Sequence, residues 1–269
     1  MAAIALQSAA SGLSALNTQL DVIANNLANV NTSGFKRSRA NFQDLMYIER
    51  AQPGTENANG DERPTGLYVG LGVRVSGTQV AFEQGAPITT ENPLDLMIDG
   101  MGFFRVEIAA DRGEGGVAYT RAGNFTVNSD GELVLATSEG PRLADAINVP
   151  DDATTISVDR TGRIFSGTPG DANSVLLGQI QLANFINPAG LKQIGENLFT
   201  KSEASGPPLV GNPGEENRGS IMQGFLEASN VDPTRELINL IRTQRAFELN
   251  SQSIRAADET LQTIGQIRR

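Results

Sequence analysis

The 269 residues of this chain predict an α+β fold: paired N- and C-terminal coiled-coil helices flanking a central antiparallel β-rich domain. Three observations predict it. Apolar residues recur every seven positions at both ends, the period falls to two between them, and Pro/Gly/polar stretches stand where one pattern gives way to the other.

The first element spans 1–34. Leu6, Leu13, Leu20 and Leu27 recur at seven-residue spacing, with Ala9, Leu16, Ile23 and Val30 three positions after each. That is the a/d pattern by which long helices pack together. From Met1 to Phe35 the one charge is Asp21, and Ser, Asn, Gln and Thr fill the remaining positions. A surface helix normally carries charge on its outer face. The back of this helix is therefore expected to be covered as well, in an assembly or within its own monomer. It should stop near Asn31-Thr32-Ser33-Gly34, since Gly and Asn end helices.

Residues 35–70 read as an extended connector, most Pro/Gly/polar over 51–66. A central β domain follows over 71–209. Leu71–Val75 and Leu94–Ile98 alternate as strands do, and Ala118–Val134 reads as two strands turning at Asn128-Ser129-Asp130-Gly131. Ile156–Phe165 reads as a pair turned at Asp159-Arg160-Thr161-Gly162, and Val175–Phe185 as one further strand. Residues 210–229 lead back to a second helix over 230–269. Asp232 can cap it, and Pro233 suits its first position, where a missing N–H costs nothing. Running to Ile267, it would be about 50 Å long. Leu240, Phe247, Ile254 and Leu261 keep the seven-residue spacing, with Ala257 and Ile264 three positions on. The ends should meet each other or copies of themselves. The expected assembly interface is Leu6, Leu13, Leu16, Leu20, Ile23, Leu27, Val30, Leu240, Phe247, Ile254, Leu261 and Ile264.

Composition narrows the chemistry. Cysteine and histidine are both absent, which excludes disulfides, thiol nucleophiles, Cys-rich zinc sites and His-based acid/base catalysis. The net charge of −10 is uneven. Asp21 stands against Lys36, Arg37 and Arg39 at one end, and six Arg against four acids over 235–269, so the negative charge lies between the arms. An acidic body argues against a nucleic-acid partner. No basic n-region or unbroken apolar h-region marks a cleavable signal peptide, and no stretch approaches a membrane span. The protein is expected in the cytoplasm, or to leave it by a route that reads no Sec signal.

No motif supports catalysis, a cofactor or a metal. Asp95 and Asp99 could pass for a carboxylate pair, but alternating with Leu96 and Ile98 they read as the wet face of a half-buried strand. Asn128-Ser129-Asp130-Gly131 lacks the later Glu of a calcium loop. Gly70-Leu71-Gly72 and Gly100-Met101-Gly102 are too short for a dinucleotide fingerprint. Asn31-Thr32-Ser33 and Asn124-Phe125-Thr126 fit a glycosylation pattern relevant only to a secretory route.

Longer runs carry a resemblance. Ser11-Gly12-Leu13 and Leu20 through Lys36 (LDVIANNLANVNTSGFK) resemble the N-terminal signature of the bacterial flagellar rod and hook (axial) protein family. Glu236-Leu237-Ile238, Gln244–Ser251 and Asp258–Gln262 resemble its C-terminal counterpart. Asn92–Phe104 and Tyr119–Phe125 match its central part, so the likeness covers essentially the whole chain. Leu182–Leu191, Gly195–Phe199, Gln223–Val231 and the connector after Gln52-Pro53-Gly54 are most similar to the distal-rod branch; the opening Met1–Gln7 departs from it. The resemblance implies a non-enzymatic subunit of a helical homopolymer in the flagellum basal body, its terminal helices forming an inner tube and its β domain outside. It implies a rod crossing the periplasm to the outer membrane and export by the flagellar type III apparatus, which explains the missing signal peptide. Implied partners are proximal rod proteins, the hook protein and the surrounding P- and L-ring proteins. The connector would bridge neighbouring subunits. Another axial paralogue (proximal rod or hook) and a wall hydrolase are the alternative readings. A much longer centre would favour hook, a missing 51–66 connector the proximal rod, and a carboxylate pair in a cleft the hydrolase.

Overall fold

The computed structural model describes residues 2–54, 62–109, 112–150, 153–167 and 175–267. The chain divides into two compact units: Met1–Ala28 with Ser38–Val80 and Asp232–Arg269, and Asn29–Arg37 with Ala81–Val231.

The first unit is built on two helices, α1 (Ala2–Ala28) and α2 (Pro233–Ile267). α2 begins where its residues dictate: Asp232 Oδ1 accepts the backbone N–H of Thr234 at 3.0 Å and of Arg235 at 3.2 Å, ahead of Pro233 at the first position. α1 gives way to turns after Ala28, and the chain reverses at Gly34, whose φ of 72° is cheap for glycine alone. α1 packs against α2 and also against two strands, β1 (Ser38–Asp44) and β4 (Val73–Val80). β1 and β4 pair antiparallel, as do β2 (Tyr47–Ala51) and β3 (Leu67–Gly70), so residues 38–51 and 67–80 pair as a two-stranded ribbon. Polar rungs support it: Arg39 donates to Gln79 at 2.8 Å and Arg74 to Gln43 at 3.0 Å. Such rungs leave no apolar alternation to read, which is why 35–70 looks unpaired in sequence. Part of the connector, 55–61, lies outside the described residues.

The second unit is a β assembly whose strand pairs are all antiparallel. Its largest sheet has six strands, in the order Lys192–Gly195, Leu198–Thr200, Val117–Thr120, Phe103–Glu107, Leu182–Asn184, Leu209–Gly211. A three-stranded sheet of Thr155–Val158, Arg163–Gly167 and Val175–Gln179 and several strand pairs complete it. Phe103 and Phe104 are neighbours in one strand, so their side chains leave opposite faces of the sheet. Phe104 enters the core with Leu96, Ile98, Leu135, Ile164, Leu182 and Ile221. Phe103 enters a second, aromatic layer, edge-to-face with Phe82 at 5.2 Å and Phe185 at 5.9 Å.

Four strand readings change. Leu71–Val75 is a strand only from Val73, the start of β4, and Ala118–Val134 holds parts of three strands, Val117–Thr120, Phe125–Val127 and Leu133–Leu135. Val175–Phe185 is two strands, Val175–Gln179 and Leu182–Asn184, in different sheets. Within Leu96–Asp99, Met97 is as buried as Leu96 and Ile98; Asp99 is exposed as expected, but Asp95 is itself buried, its Oδ1 accepting Asn92 Nδ2 at 3.0 Å. The wet face expected at Asp95 is therefore absent; it is a turn-holding carboxylate. The Asn128–Gly131 turn is formed as expected, with Asn128 Oδ1 accepting the N–H groups of Asp130 and Glu132. Among the described residues, no helix is long and apolar enough to cross a membrane.

Candidate assembly surface

Most of the expected seam residues are already half-covered within one chain. Leu6, Leu13, Leu16, Leu20 and Leu27 are half-buried and Ile23 is 4% exposed. Val30 lies beyond α1, half-buried in the second unit. On α2, Leu240, Phe247 and Ile254 are half-buried, whereas Leu261 is exposed; the side chain of Ile264 lies outside the described residues.

Polar side chains fix α1 in place. Ser8 Oγ donates to the Gly70 carbonyl at 3.3 Å, and Ser11 Oγ accepts the Val73 N–H at 3.2 Å. Asn26, almost fully buried, grips Ser38 with both ends of its amide: Nδ2 donates to its carbonyl at 2.8 Å and Oδ1 accepts its N–H at 2.9 Å. The uncharged back of α1 is thus partly explained by its own ribbon, which takes the hydroxyls and amides as backbone partners. Between the helices, Asn250 Nδ2 donates to the Ala9 carbonyl at 2.9 Å. Gly12 lies opposite, and a Cβ there would fall 2.6 Å from that nitrogen.

What α1 leaves uncovered on α2 is mixed apolar and basic. Leu237, Ile238, Ile241 and Leu249 are exposed, Leu249 at 64%, beside exposed Arg235, Arg242, Arg245 and Arg255. The ribbon likewise exposes Met46, Tyr47, Ile48, Leu67 and Tyr68. Large apolar side chains grouped in this way on a surface usually mark an interaction site.

In the second unit a buried ionic cluster ties distant segments together. Lys36 Nζ donates to Glu227 Oε1 at 2.5 Å and to the Glu83 carbonyl at 2.7 Å. The same Oε1 accepts the Gly85 N–H at 2.8 Å, and Arg121 Nη1 reaches Oε2 at 3.3 Å. Burial pulls Lys36 below its ordinary pKa, partly offset by Glu227, and it lowers Arg121 in the same way. Around the cluster, Gly34 N–H donates to the Glu227 carbonyl and Arg37 N–H to Asn230 Oδ1, at 2.8 and 2.7 Å. Sequence reasoning missed this cluster and the Asn250–Gly12 contact. The available signals were Lys36, the first cation of the chain, and Gly12, a lone glycine inside a long helical pattern.

Three family models of the flagellar axial proteins match in chain order. They are the flagella basal body rod protein over residues 6–36, the flagellar hook protein FlgE/F/G D1 domain over 97–166, and the flagellar basal body rod FlgEFG protein C-terminal region over 222–267. Lys36, Arg121 and Glu227 fall one in each. The chain belongs to the flagellar basal-body rod protein family. Among its relatives, the flagellar basal-body rod protein FlgG of Caulobacter vibrioides is 44% identical over 98% of this chain and 99% of its own length. That of Agrobacterium fabrum is 46% identical over 95% of each, and that of Bacillus subtilis 38% over 98% of each.

Proposed function

We propose that this chain is a distal-rod subunit of the bacterial flagellum: a structural, non-enzymatic protein of the basal body. It polymerises into a rigid hollow shaft that carries torque from motor to hook. The relatives named FlgG along nearly the full length support the assignment. The observation that carries the polymer is the face of α2 left open once α1 has packed against it. Leu237, Ile238, Ile241 and Leu249 remain in water on a helix whose other side is already covered. A subunit that buries this row against a neighbour gains ~25 cal/mol per Å² of apolar surface, repeated at every contact along a filament.

In this reading α1 and α2 form a coiled-coil pair within each subunit. The seam from Leu6 to Leu27 and from Leu240 to Ile254 holds the pair together, and the outer row of α2 joins pairs into a tube. As segments, the reading keeps helical arms at 1–34 and 230–269, a connector to 70, a β domain over 71–209 and a return over 210–229, although β4 packs with the arms and the return carries strands of the second unit. The ribbon, with its exposed Tyr47 and Tyr68, bridges to the next subunit. Partners at the two ends are proximal rod proteins and the hook protein, with the P- and L-rings around the shaft. Export runs through the flagellar type III apparatus.

The test is assembly of purified protein, followed by electron microscopy, for the parent and for Ile241→Asp. The parent is expected to form straight tubes. The variant should remain soluble with the second unit melting as before. Tubes from both would remove the outer row of α2 from the interface.

A further inference from the structure

We infer that Asn250 and Gly12 together set the axial register of the α1–α2 pair. The inference rests on the helix pair of the proposed function. The apolar seam cannot set this register alone. Leu6, Leu13, Leu20 and Leu27 repeat at seven, as do Leu240, Phe247, Ile254 and Leu261, so a slide of one heptad returns apolar residues to apolar residues. Such a slide moves one helix by about 10 Å and leaves the seam nearly as well filled.

Asn250 breaks the degeneracy. Its Nδ2 donates to the Ala9 carbonyl at 2.9 Å, and it can approach because position 12 has no Cβ. Gly12 is the sole glycine of α1. One heptad to either side stand Ala5 and Gln19, whose side chains fill the space the amide needs. Nor does another amide take over on α2, since the positions one heptad from Asn250 are Thr243 and Ala257. In a slipped pair Asn250 loses its acceptor and is pressed against side chains, and leaving a part-buried amide without its hydrogen bond costs stability. Glycine in a helix interior is unfavourable for the helix itself. Here it is explained by the partner it admits. Ser8, Ser11 and Asn26 hold α1 to its ribbon. Asn230 ties the chain just before α2 by accepting the Arg37 N–H at 2.7 Å, so a slip of α2 along α1 must open that bond as well. The Asp232 cap fixes where α2 starts in the chain, not what it lies against.

The absence of cysteine makes the test direct. Nitroxide labels at Gln7→Cys and Glu248→Cys in the full chain report the helix pair by pulsed electron spin resonance. The parent should give one narrow distance. Asn250→Leu, which adds apolar surface, and Gly12→Ala, which blocks the amide, should each add a second discrete population of tens of per cent, from an axial shift of about 10 Å. The parent's single distance in both variants would overturn the inference. So would simple broadening without a second population, because that is what a merely structural contact gives when lost. A broad distribution in the parent itself would instead sink the helix pair on which the inference rests.

Discussion

Glu227→Gln offers a sharp test of how the second unit is held together. The substitution keeps the shape of the side chain and removes the one carboxylate facing two buried cations. In the parent, Lys36 and Glu227 have fully buried side chains and Arg121 is 4% exposed, so water cannot take over the charge. Removing one partner from a buried ion pair costs about 3–5 kcal/mol, because the other is left uncompensated. That is a large part of the ~5–15 kcal/mol that holds a typical domain. Lys36→Met should cost less, about 1–3 kcal/mol: Glu227 keeps Arg121 and the Gly85 N–H, and the lysine's desolvation disappears with it. The double variant should show a coupling of about 0.5–3 kcal/mol. Urea unfolding followed by circular dichroism reads these values, provided the slope with denaturant is unchanged. The reasoning fails if Glu227→Gln costs under ~1 kcal/mol, or if Lys36→Met costs more than Glu227→Gln.

The same cluster has a pH signature. Burial holds Lys36 below its ordinary 10.5, so between that lowered value and 10.5 the unfolded chain binds more protons, and stability rises with pH in that window. Lys36→Met should abolish the rise; comparing the two cancels Tyr119, whose buried phenol is pushed up and titrates against the trend. Gly123→Ala places a methyl on the Leu96 carbonyl, and should cost the second unit about 3 kcal/mol, the upper end for overpacking, in a thermal melt. Replacing 52–66 by Asn-Gly, a two-residue hairpin turn that leaves Ala51 paired with Leu67, should leave assembly possible and make the tubes more curved in electron micrographs, since the stretch is nearly free of apolar residues. Equal straightness would leave it with no mechanical role.

The terminal helices were legible because a seven-residue period and a Pro after Asp leave few alternatives. The β region was legible where turn residues such as Asn128 and Gly131 or Asp159 and Gly162 punctuate it. What covers each face was not. A lone helix is marginal in water, so the arms alone suggested segments awaiting a neighbouring subunit. α1 finds cover on two sides within its own chain, one of the two ways its uncharged back was expected to be covered, through backbone grips at Ser8, Ser11 and Asn26. Of the ribbon only the alternation at Val73–Val75 was legible, and its pairing was not, because its rungs include Arg39–Gln79 and Arg74–Gln43. Asp95 misled for the opposite reason, being a polar residue at an alternating position that is nonetheless buried. For the assembly surface, the period picked out residues that are mostly half-buried in one chain, with Leu261 exposed and Val30 beyond α1. It could not say that Leu237, Ile241 and Leu249, off that period, would remain in water.

Neither unit is a continuous stretch of chain, and this sets when each can fold. The first needs residues 232–269 as well as 1–28 and 38–80; the second needs Glu227 to meet Lys36, 191 positions away. At roughly 5–20 residues per second of synthesis, Lys36 waits about 10–40 s for its partner, and α1 waits longer still for α2. The first unit is closed by α2, which is made after everything it packs against. A chain cut before Pro233 keeps α1 on its ribbon without its helical partner, and so loses one of the two covers of α1.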